Sequence, residues 1–225
     1  MDPSSHTRVK ICCIAGSGEA DLAIRRGASV LGLVSAMPSG PGPIEESLIA
    51  TVARTIPPGI EIFLLTSKRT AEAIVEQHLR TGIRTLQLVD AVAAPEYERL
   101  REKIPGVRIV QVIHVVGQAS LGEAVDAAKR ADAILLDSGR PDLPVPELGG
   151  TGRRHDWSIS RKIREAIPIP LFLAGGLNAD NVREAIETVR PFGVDVCSGV
   201  RTNGKLDESK LAAFMAGVRA ADFLY

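Results

Sequence analysis

Residues 107–136 read VRIVQVIHVVGQASLGEAVDAAKRADAILL, and this stretch sets the expected fold. Its first part, 107–114, is an apolar run rich in Val and Ile, which is typical of a buried strand. A helical pattern follows over about 121–129, and a second apolar run at 133–136 predicts another strand. Two strands joined through a helix are expected to pair in parallel, because parallel strands need a long crossover connection.

The rest of the chain repeats this unit. Further strands are predicted at 9–14, 29–34, 61–65, 84–88, 170–173 and 193–197, and further helices over about 19–26, 44–54, 70–81, 95–103, 157–166, 181–188 and 208–220. Eight strand–helix units within 225 residues predict an α/β protein, a single-domain (β/α)8 TIM barrel spanning residues 1–225. A doubly wound open sheet is the alternative, but no G-x-G-x-x-G motif follows the first strand.

The composition excludes several classes of function. Lys and Arg together number 27, as do Asp and Glu, so the net charge is zero and no general binding of nucleic acid is expected. No apolar run approaches the roughly 18 to 20 residues of a membrane-spanning helix, and the N-terminus lacks the pattern of a secretory signal. Three cysteines, two of them adjacent, do not make a disulfide framework. We therefore expect a cytoplasmic protein with no membrane partner.

The candidate catalytic residues follow from the predicted barrel, since active sites of such barrels lie at the C-terminal ends of the strands. Cys12 lies near the end of the first predicted strand, and Asp137 ends the sixth. A thiol and a carboxylate across one barrel mouth are suited to act as base and acid. The alternatives are a cysteine of the core and a carboxylate that caps a helix or pairs with Arg140. Because side chains alternate along a strand, Cys12 and Cys13 are expected to face opposite ways, with at most one in the mouth.

Three glycine clusters follow late strands, at 149–152, 175–176 and 198–199. Glycine lets backbone N–H groups approach an anion closely, and the loops after the seventh and eighth strands of these barrels often hold a phosphate. The second and third clusters together therefore predict a phosphate site that needs no Lys or Arg, which agrees with the zero net charge. Tight turns alone are the alternative interpretation of these glycines.

Three further polar residues lie near these positions. His114 ends the fifth predicted strand and is expected to be a core or rim group rather than a base. His155 lies in the long loop before the sixth helix and is expected to be solvated. Lys10 precedes Cys12 by two residues and shares its side of the strand, so its charge is expected to favour the Cys12 thiolate.

An ordered set of motifs resembles one known family. The motifs are Val9-Lys10-Ile11-Cys12, Leu135-Leu136-Asp137, Gly149-Gly150-Thr151-Gly152 with Asp156-Trp157, Ala174-Gly175-Gly176-Leu177 with Asn181-Val182, and Val194-Asp195-Val196-Cys197-Ser198-Gly199-Val200. Their order is similar to that of the phosphoribosylanthranilate isomerase family of the tryptophan pathway. Gly204-Lys205 and Asp207 resemble its closing motif with one residue inserted. The match spans nearly the whole chain, and the ordered set is more specific than any single motif.

The resemblance implies a (β/α)8 fold, no cofactor, no metal and a small phosphorylated sugar as substrate, in a monomer or a homodimer. The family converts N-(5-phosphoribosyl)anthranilate to a 1-deoxyribulose form by an Amadori rearrangement. Its general base falls on Cys12 and its general acid on Asp137. Its phosphate site falls on Gly175, Gly176, Ser198 and Gly199. Further expected substrate-binding residues are Gln87, Gly150 and Arg201.

The chain also departs from the family pattern. Cys13 stands where the family usually has glycine, and Arg201 stands where it has glutamate. The loop over 35–43 lacks the S-P-R arginine that binds the anthranilate carboxylate in the family, and an unpaired carboxylate is costly to bury. Either Arg201, Arg140 or Arg153 replaces that cation, or the substrate is a different phosphoribosyl amine. A non-catalytic phosphosugar-binding barrel is a further alternative. A different phosphate-binding barrel lyase or synthase would be marked by a lysine or a metal-ligand cluster at the strand ends, and the sequence has neither there.

Overall fold

The computed structural model describes residues 6–139 and 154–222, and within them strands alternate with helices. The strands are β1 Arg8–Ile11, β2 Val30–Val34, β3 Glu61–Thr66, β4 Thr85–Leu88, β5 Arg108–His114, β6 Ala133–Asp137, β7 Leu171–Leu173, β8 Gly193–Val196, and the short pair β9 Arg201–Thr202 and β10 Lys205–Leu206. The helices are α1 Ser17–Arg25, α2 Glu46–Thr55, α3 Ala71–Thr81, α4 Ala94–Lys103, α5 Ala119–Ala127, α6 Trp157–Ala166, α7 Val182–Val189 and α8 Glu208–Asp222.

Strands β1 to β8 close into a barrel in chain order. All eight neighbouring pairs are parallel, and β8 returns to pair with β1, where Lys10 lies opposite Asp195. Closure satisfies the backbone N–H and C=O groups of every barrel strand, since no sheet edge remains. The predicted (β/α)8 barrel is confirmed, and the open doubly wound sheet is excluded.

Alternation along the strands divides the apolar residues between two cores. Leu64 and Leu136 point outward and pack in the layer between strands and helices. Phe63, Leu135 and Phe172 point inward and fill the barrel. The rings of Phe63 and Phe172 meet edge to face with centroids 5.5 Å apart. Both faces of the strands are therefore covered, which explains why the strand sequences are apolar almost throughout.

Helices α3 and α6 begin close to their predicted starts, and a capping hydrogen bond marks the start of each. The Thr70 hydroxyl accepts a hydrogen bond from the Ala73 N–H at 3.5 Å at the start of α3. The Asp156 carboxylate accepts one from the Ser158 N–H at 2.8 Å at the start of α6. Of the helices described, none is both long enough and apolar enough to cross a membrane.

Candidate active site

A cavity opens at the C-terminal ends of the barrel strands, where the predicted catalytic residues were expected. Six of the predicted site residues line it: Cys12, Gln87, Asp137, Gly175, Gly176 and Ser198. Two others, Gly199 and Arg201, are not part of its lining. Gly150 lies outside the described residues, as do Arg140 and Arg153. The six predicted residues come from five of the eight strand–helix units, and the cavity lining as a whole includes residues from all eight.

Cys12 shares a small buried space with a lysine and an aspartate from the barrel interior. Lys10 Nζ lies 2.9 Å from Asp195 Oδ1, and the lysine side chain is completely buried. Gly32 makes room for this group, since a Cβ there would lie 2.9 Å from Cys12 Sγ and 3.0 Å from Lys10 Nζ. Burial alone would lower the pKa of Lys10, but the charges of Asp195 and Cys12 raise it, so the ammonium form is held.

The environment of Cys12 favours its thiolate. The hydrogen bond from the Cys13 thiol lowers the pKa of Cys12 below its usual range, and the charge of Lys10 lowers it further. Burial and the charge of Asp195 act in the opposite direction. A thiol with a lowered pKa next to an ammonium group is suited to accept a proton.

Both adjacent cysteines line the cavity, so the prediction that at most one faces the mouth was wrong. The alternation of side chains holds only in extended backbone, and β1 ends at Ile11, three residues before its predicted end. Cys13 has a φ of 62°, in the left-handed region, which turns its side chain back toward the mouth. Its sulfur lies 2.8 Å from Cys197 Sγ. Glycine adopts this φ without strain, which explains why glycine is suited to the position that Cys13 occupies in this chain.

Asp137 faces Cys12 across the cavity, at the end of β6. Burial raises the pKa of its carboxyl group above the usual range, although a hydrogen bond from the Ser138 N–H, 2.7 Å from Oδ1, and the charge of His114 lower it in part. Helix α6 begins only at Trp157 and is capped by Asp156, so Asp137 is not a helix cap. A carboxyl group with a raised pKa is suited to donate a proton.

A hydrogen-bonded chain of three side chains supports the segment after Asp137. Ser138 Oγ lies 2.9 Å from His155 Nδ1, and His155 Nε2 lies 2.7 Å from Ser160 Oγ. Burial lowers the pKa of His155 to about 4, so its ring is neutral at neutral pH. The expectation of a solvated His155 was wrong, because this ring is buried between the two hydroxyls. The sequence did hold one signal for a buried partner of His155. Ser160 follows Trp157 by three residues, so it lies on the apolar face of α6, where a polar side chain needs a hydrogen-bond partner.

His114 is buried at the end of β5, which agrees with its expected place in the core or rim. Its Nε2 lies 3.1 Å from the carbonyl oxygen of Val89. Its Nδ1 has no hydrogen-bond partner among the residues that the structure describes. In the register of β5 and β6, His114 lies opposite Asp137. Its effect on the site is electrostatic, since its charge lowers the pKa of the Asp137 carboxyl group in part.

The two glycine clusters of the predicted phosphate site lie next to each other. Gly175 and Gly176 have φ values of 85° and 64°, which side chains with a Cβ rarely adopt. A Cβ on Gly175 would lie 2.0 Å from Ser138 Oγ, and one on Gly199 would lie 2.0 Å from the carbonyl oxygen of Leu177. Gly199 therefore allows the loops after β7 and β8 to pack closely on the side away from the cavity. Ser198, Gly175 and Gly176 line the cavity itself.

Arg201 is committed to contacts away from the cavity. Its guanidinium pairs with both carboxylate oxygens of Glu19 at 3.0 Å and donates to the carbonyl oxygens of Cys12, Cys13 and Gly204. Only 7% of the side chain is exposed. The expectation that Arg201 meets a substrate carboxylate is therefore not supported, because both of its terminal nitrogens already bind Glu19 and backbone carbonyl groups, and the residue does not line the cavity.

Gln87 is the other polar residue of the wall. It is buried, and its Oε1 has no hydrogen-bond partner within the described part of the chain. A buried acceptor that faces a cavity favours a ligand with an N–H or O–H group. Over residues 6–139 and 154–222, no Lys or Arg lines the cavity, since Lys10 lies below it.

Comparisons with known proteins agree with this geometry. A family model described as N-(5'phosphoribosyl)anthranilate (PRA) isomerase matches residues 10–216. N-(5'-phosphoribosyl)anthranilate isomerase 2 of Methanosarcina mazei is 36% identical over 210 residues, with 92% of each chain covered.

Two solved structures share the fold. A phosphoribosyl anthranilate isomerase in complex with reduced 1-(o-carboxyphenylamino)-1-deoxyribulose 5-phosphate has a TM-score of 0.79 at 25% identity, covering 95% of this chain and 99% of the other. Monomers generated from a dimeric phosphoribosylanthranilate isomerase of Thermotoga maritima have a TM-score of 0.76 at 26% identity, with the same coverage. The resemblance seen in the motifs is confirmed: this chain belongs to the N-(5'-phosphoribosyl)anthranilate isomerase family.

Proposed function

We propose that this protein catalyses the isomerisation of N-(5-phosphoribosyl)anthranilate to 1-(2-carboxyphenylamino)-1-deoxyribulose 5-phosphate, a step of tryptophan biosynthesis. Cys12 is the general base and Asp137 the general acid. The observation that carries the proposal is the shared cavity, in which a thiol with a lowered pKa and a carboxyl group with a raised pKa lie beside the paired glycine loops. The reaction needs these three parts together.

The acid step opens the sugar ring. The Asp137 carboxyl group donates its proton to the furanose ring oxygen, and the ring opens to a Schiff base on the amine nitrogen. Because burial raises the pKa of Asp137, a fraction of this group stays protonated under conditions where an exposed aspartate is ionised. The Ser138 N–H bond to Oδ1 holds the carboxyl group at the end of β6.

The base step completes the isomerisation. The Cys12 thiolate removes the proton from C2 of the open-chain sugar, and the resulting enolamine tautomerises to the ketone. The Cys13 thiol and Lys10 both stabilise the thiolate before the substrate arrives. A preorganised charge of this kind costs no reorganisation during the reaction.

The phosphate anchors the substrate between acid and base. Gly175, Gly176 and Ser198 line the cavity, and glycine lets backbone N–H groups approach an anion closely, while a Cβ on Gly199 would collide with the loop after β7. Binding energy from this remote group orients the reacting carbons, which raises the rate of the chemical step.

One observation favours a second candidate, an isomerase of a different phosphoribosyl amine. Within the described residues no Lys or Arg side chain lines the cavity, and Arg201 is engaged with Glu19. A substrate whose aromatic amine carries no carboxylate does not need a Lys or Arg side chain to pair with it. The two candidates differ only in the group attached to the amine, because the acid, the base and the phosphate loops serve both.

The test is an assay with freshly prepared N-(5-phosphoribosyl)anthranilate, followed by the loss of substrate fluorescence. We expect turnover by the wild-type protein, and a loss of at least about 100-fold in kcat/KM for Cys12→Ala and for Asp137→Asn. The matched control is Asp132→Asn, just before the start of the same strand and far from the cavity, where the carboxylate binds Arg101 and the Ile109 N–H. This control should stay within about twofold of the wild type.

The aniline analogue of the substrate, which lacks the carboxylate, separates the two candidates. A preference for the anthranilate substrate supports the first, and a preference for the analogue supports the second. A wild-type protein that binds inorganic phosphate but turns over neither compound would overturn both and leave a phosphosugar-binding barrel.

A further inference from the structure

Three thiols meet on one side of the cavity, where the chain leaves β1 and β8. Cys12, Cys13 and Cys197 all line it. Cys13 and Cys197 are 184 residues apart in the chain, yet their sulfur atoms lie 2.8 Å apart. A disulfide has an S–S distance of about 2.05 Å, so these sulfurs need to approach by only about 0.8 Å.

We propose that Cys13 and Cys197 form a thiol–disulfide modification site, which a peroxide or a small disulfide closes and a dithiol reductant reopens. Formation of the bond needs no turnover. Only its consequence for Cys12 rests on the proposed function.

The two thiols differ in the way that this chemistry requires. Cys197 is partly exposed at the cavity, whereas Cys13 is buried. The contacts of Cys13 with Cys12 and Cys197, together with burial, raise the pKa of the Cys13 thiol. Cys197 is therefore the thiol that a peroxide reaches first, and Cys13 is the thiol that resolves the product.

The bond forms in two balanced steps. The Cys197 thiolate attacks one oxygen of the peroxide, the O–O bond breaks, hydroxide leaves, and a sulfenic acid remains on Cys197. The Cys13 sulfur then attacks the Cys197 sulfur. The S–S bond forms, the S–O bond breaks, and the leaving hydroxide combines with the Cys13 proton as water. The two cysteines lose two electrons, and the peroxide is reduced to two molecules of water.

Closure of this bond acts on the neighbouring Cys12. In the reduced protein the Cys13 thiol donates the hydrogen bond that most lowers the pKa of Cys12. A disulfide sulfur has no hydrogen to donate, so the Cys12 thiolate loses this support. The bridge also joins the ends of β1 and β8 next to Ser198 of the phosphate loop. We expect oxidation to lower turnover at neutral pH and reduction to restore it.

The test is to equilibrate the full chain with graded mixtures of reduced and oxidised glutathione, and separately with hydrogen peroxide. Free thiols are then alkylated, and the peptides are mapped by mass spectrometry. We expect a linked pair of peptides containing Cys13 and Cys197, which dithiothreitol removes. Turnover assayed on the rising limb of the pH profile, below the pKa of Cys12, should fall as the bridge forms, by about 10-fold for each unit by which that pKa rises.

Variants identify the partners and separate this proposal from the catalytic one. Cys12→Ser should form the bridge although it lacks the base, and Cys13→Ser should not form it. Each treated variant is compared with its own untreated sample. Absence of the bridge in the wild type under the most oxidising mixture would overturn the proposal, whether or not the protein turns over substrate. A bridge that persists in Cys13→Ser but is lost in Cys12→Ser would assign the bond to Cys12 and overturn it as well.

Discussion

Cys13 adopts a φ of 62°, a conformation that costs a residue with a Cβ about 1–2 kcal/mol relative to the right-handed region. Its thiol compensates by placing one hydrogen-bond donor next to Cys12. One residue therefore turns the chain after β1 and makes the largest contribution to the lowered pKa of the proposed base. The effect on the pKa of Cys12 is local, since it depends on the hydrogen bond between the Cys13 and Cys12 sulfur atoms.

Substitution of Cys13 by glycine removes this donor and keeps the backbone conformation. We expect the pKa of Cys12 to rise, because its thiolate is less stabilised. A general base acts in its deprotonated form, so the rising limb of the pH profile of kcat/KM should move to higher pH. Cys13→Ser, which keeps a hydroxyl donor, should leave this limb closer to that of the wild type. Coinciding limbs for Cys13→Gly and the wild type would contradict the assigned contact.

At the scale of elements, the site depends on how the loops after β6 and β7 fit together. Gly175 of the second loop lies against Ser138 of the first, and Ser138 is held through His155 to Ser160 on α6. The segment that carries Asp137 and the loop proposed to bind phosphate are therefore one packed unit. A change in either loop is expected to affect both the acid and the anion site.

Gly175→Ala tests this contact against a matched control, Gly204→Ala. Both glycines have a positive φ, 85° and 78°, but a Cβ on Gly175 would meet Ser138 Oγ at 2.0 Å, whereas nothing lies within 4 Å of a Cβ on Gly204. We expect a cost of about 1 kcal/mol for the control from backbone strain alone, and at least about 1 kcal/mol more for Gly175→Ala.

Two measurements decide this comparison. The free energy of unfolding in urea should separate the two variants, and the dissociation constant for inorganic phosphate should rise at least about 10-fold only in Gly175→Ala. Equal unfolding free energies for the two variants would show that the loops do not pack as described.

At the scale of the whole molecule, the closure of the barrel places a charged pair inside it. Lys10 on β1 and Asp195 on β8 face each other where the last strand meets the first, and their side chains are 0% and 9% exposed. The Asp195 carboxylate meets the Lys10 ammonium only because the two strands pair. The pairing of β1 with β8 therefore also positions the Lys10 charge that lowers the pKa of Cys12.

Lys10→Met should destabilise the protein by roughly 3–5 kcal/mol, because it leaves the Asp195 charge buried without its partner. The double variant Lys10→Met/Asp195→Leu removes both charges and should recover part of this loss. The surface pair of Arg161 and Glu165 on α6 offers the control, since both side chains are more than half exposed and Arg161→Met should cost no more than about 1 kcal/mol. Urea unfolding curves of the four proteins provide the comparison, and a Lys10→Met variant as stable as Arg161→Met would contradict the argument.

The sequence predicted where most of the candidate residues lie in the fold. Cys12, Asp137, Gly175 and Ser198 all lie at or just after the ends of strands, and the carboxyl ends of barrel strands meet at one mouth whatever the details of packing. Arg201 illustrates the limit, because its partner Glu19 lies 182 residues away in the chain and no periodicity connects them. Whether a charged residue binds substrate or the protein itself depends on which groups the fold places beside it.

The alternation of apolar strands with amphipathic helices by itself predicted a parallel sheet covered by helices, because each unit can bury its apolar faces only between neighbours of the same kind, and the number of units favoured a closed barrel. The tertiary structure alone decided that both adjacent cysteines face the mouth, that Cys13 meets Cys197, and that His155 is buried between two serines. The physical reason is that side-chain direction follows a simple period only within a regular element. Beyond the end of β1 and before the start of α6, contacts between distant parts of the chain set it instead.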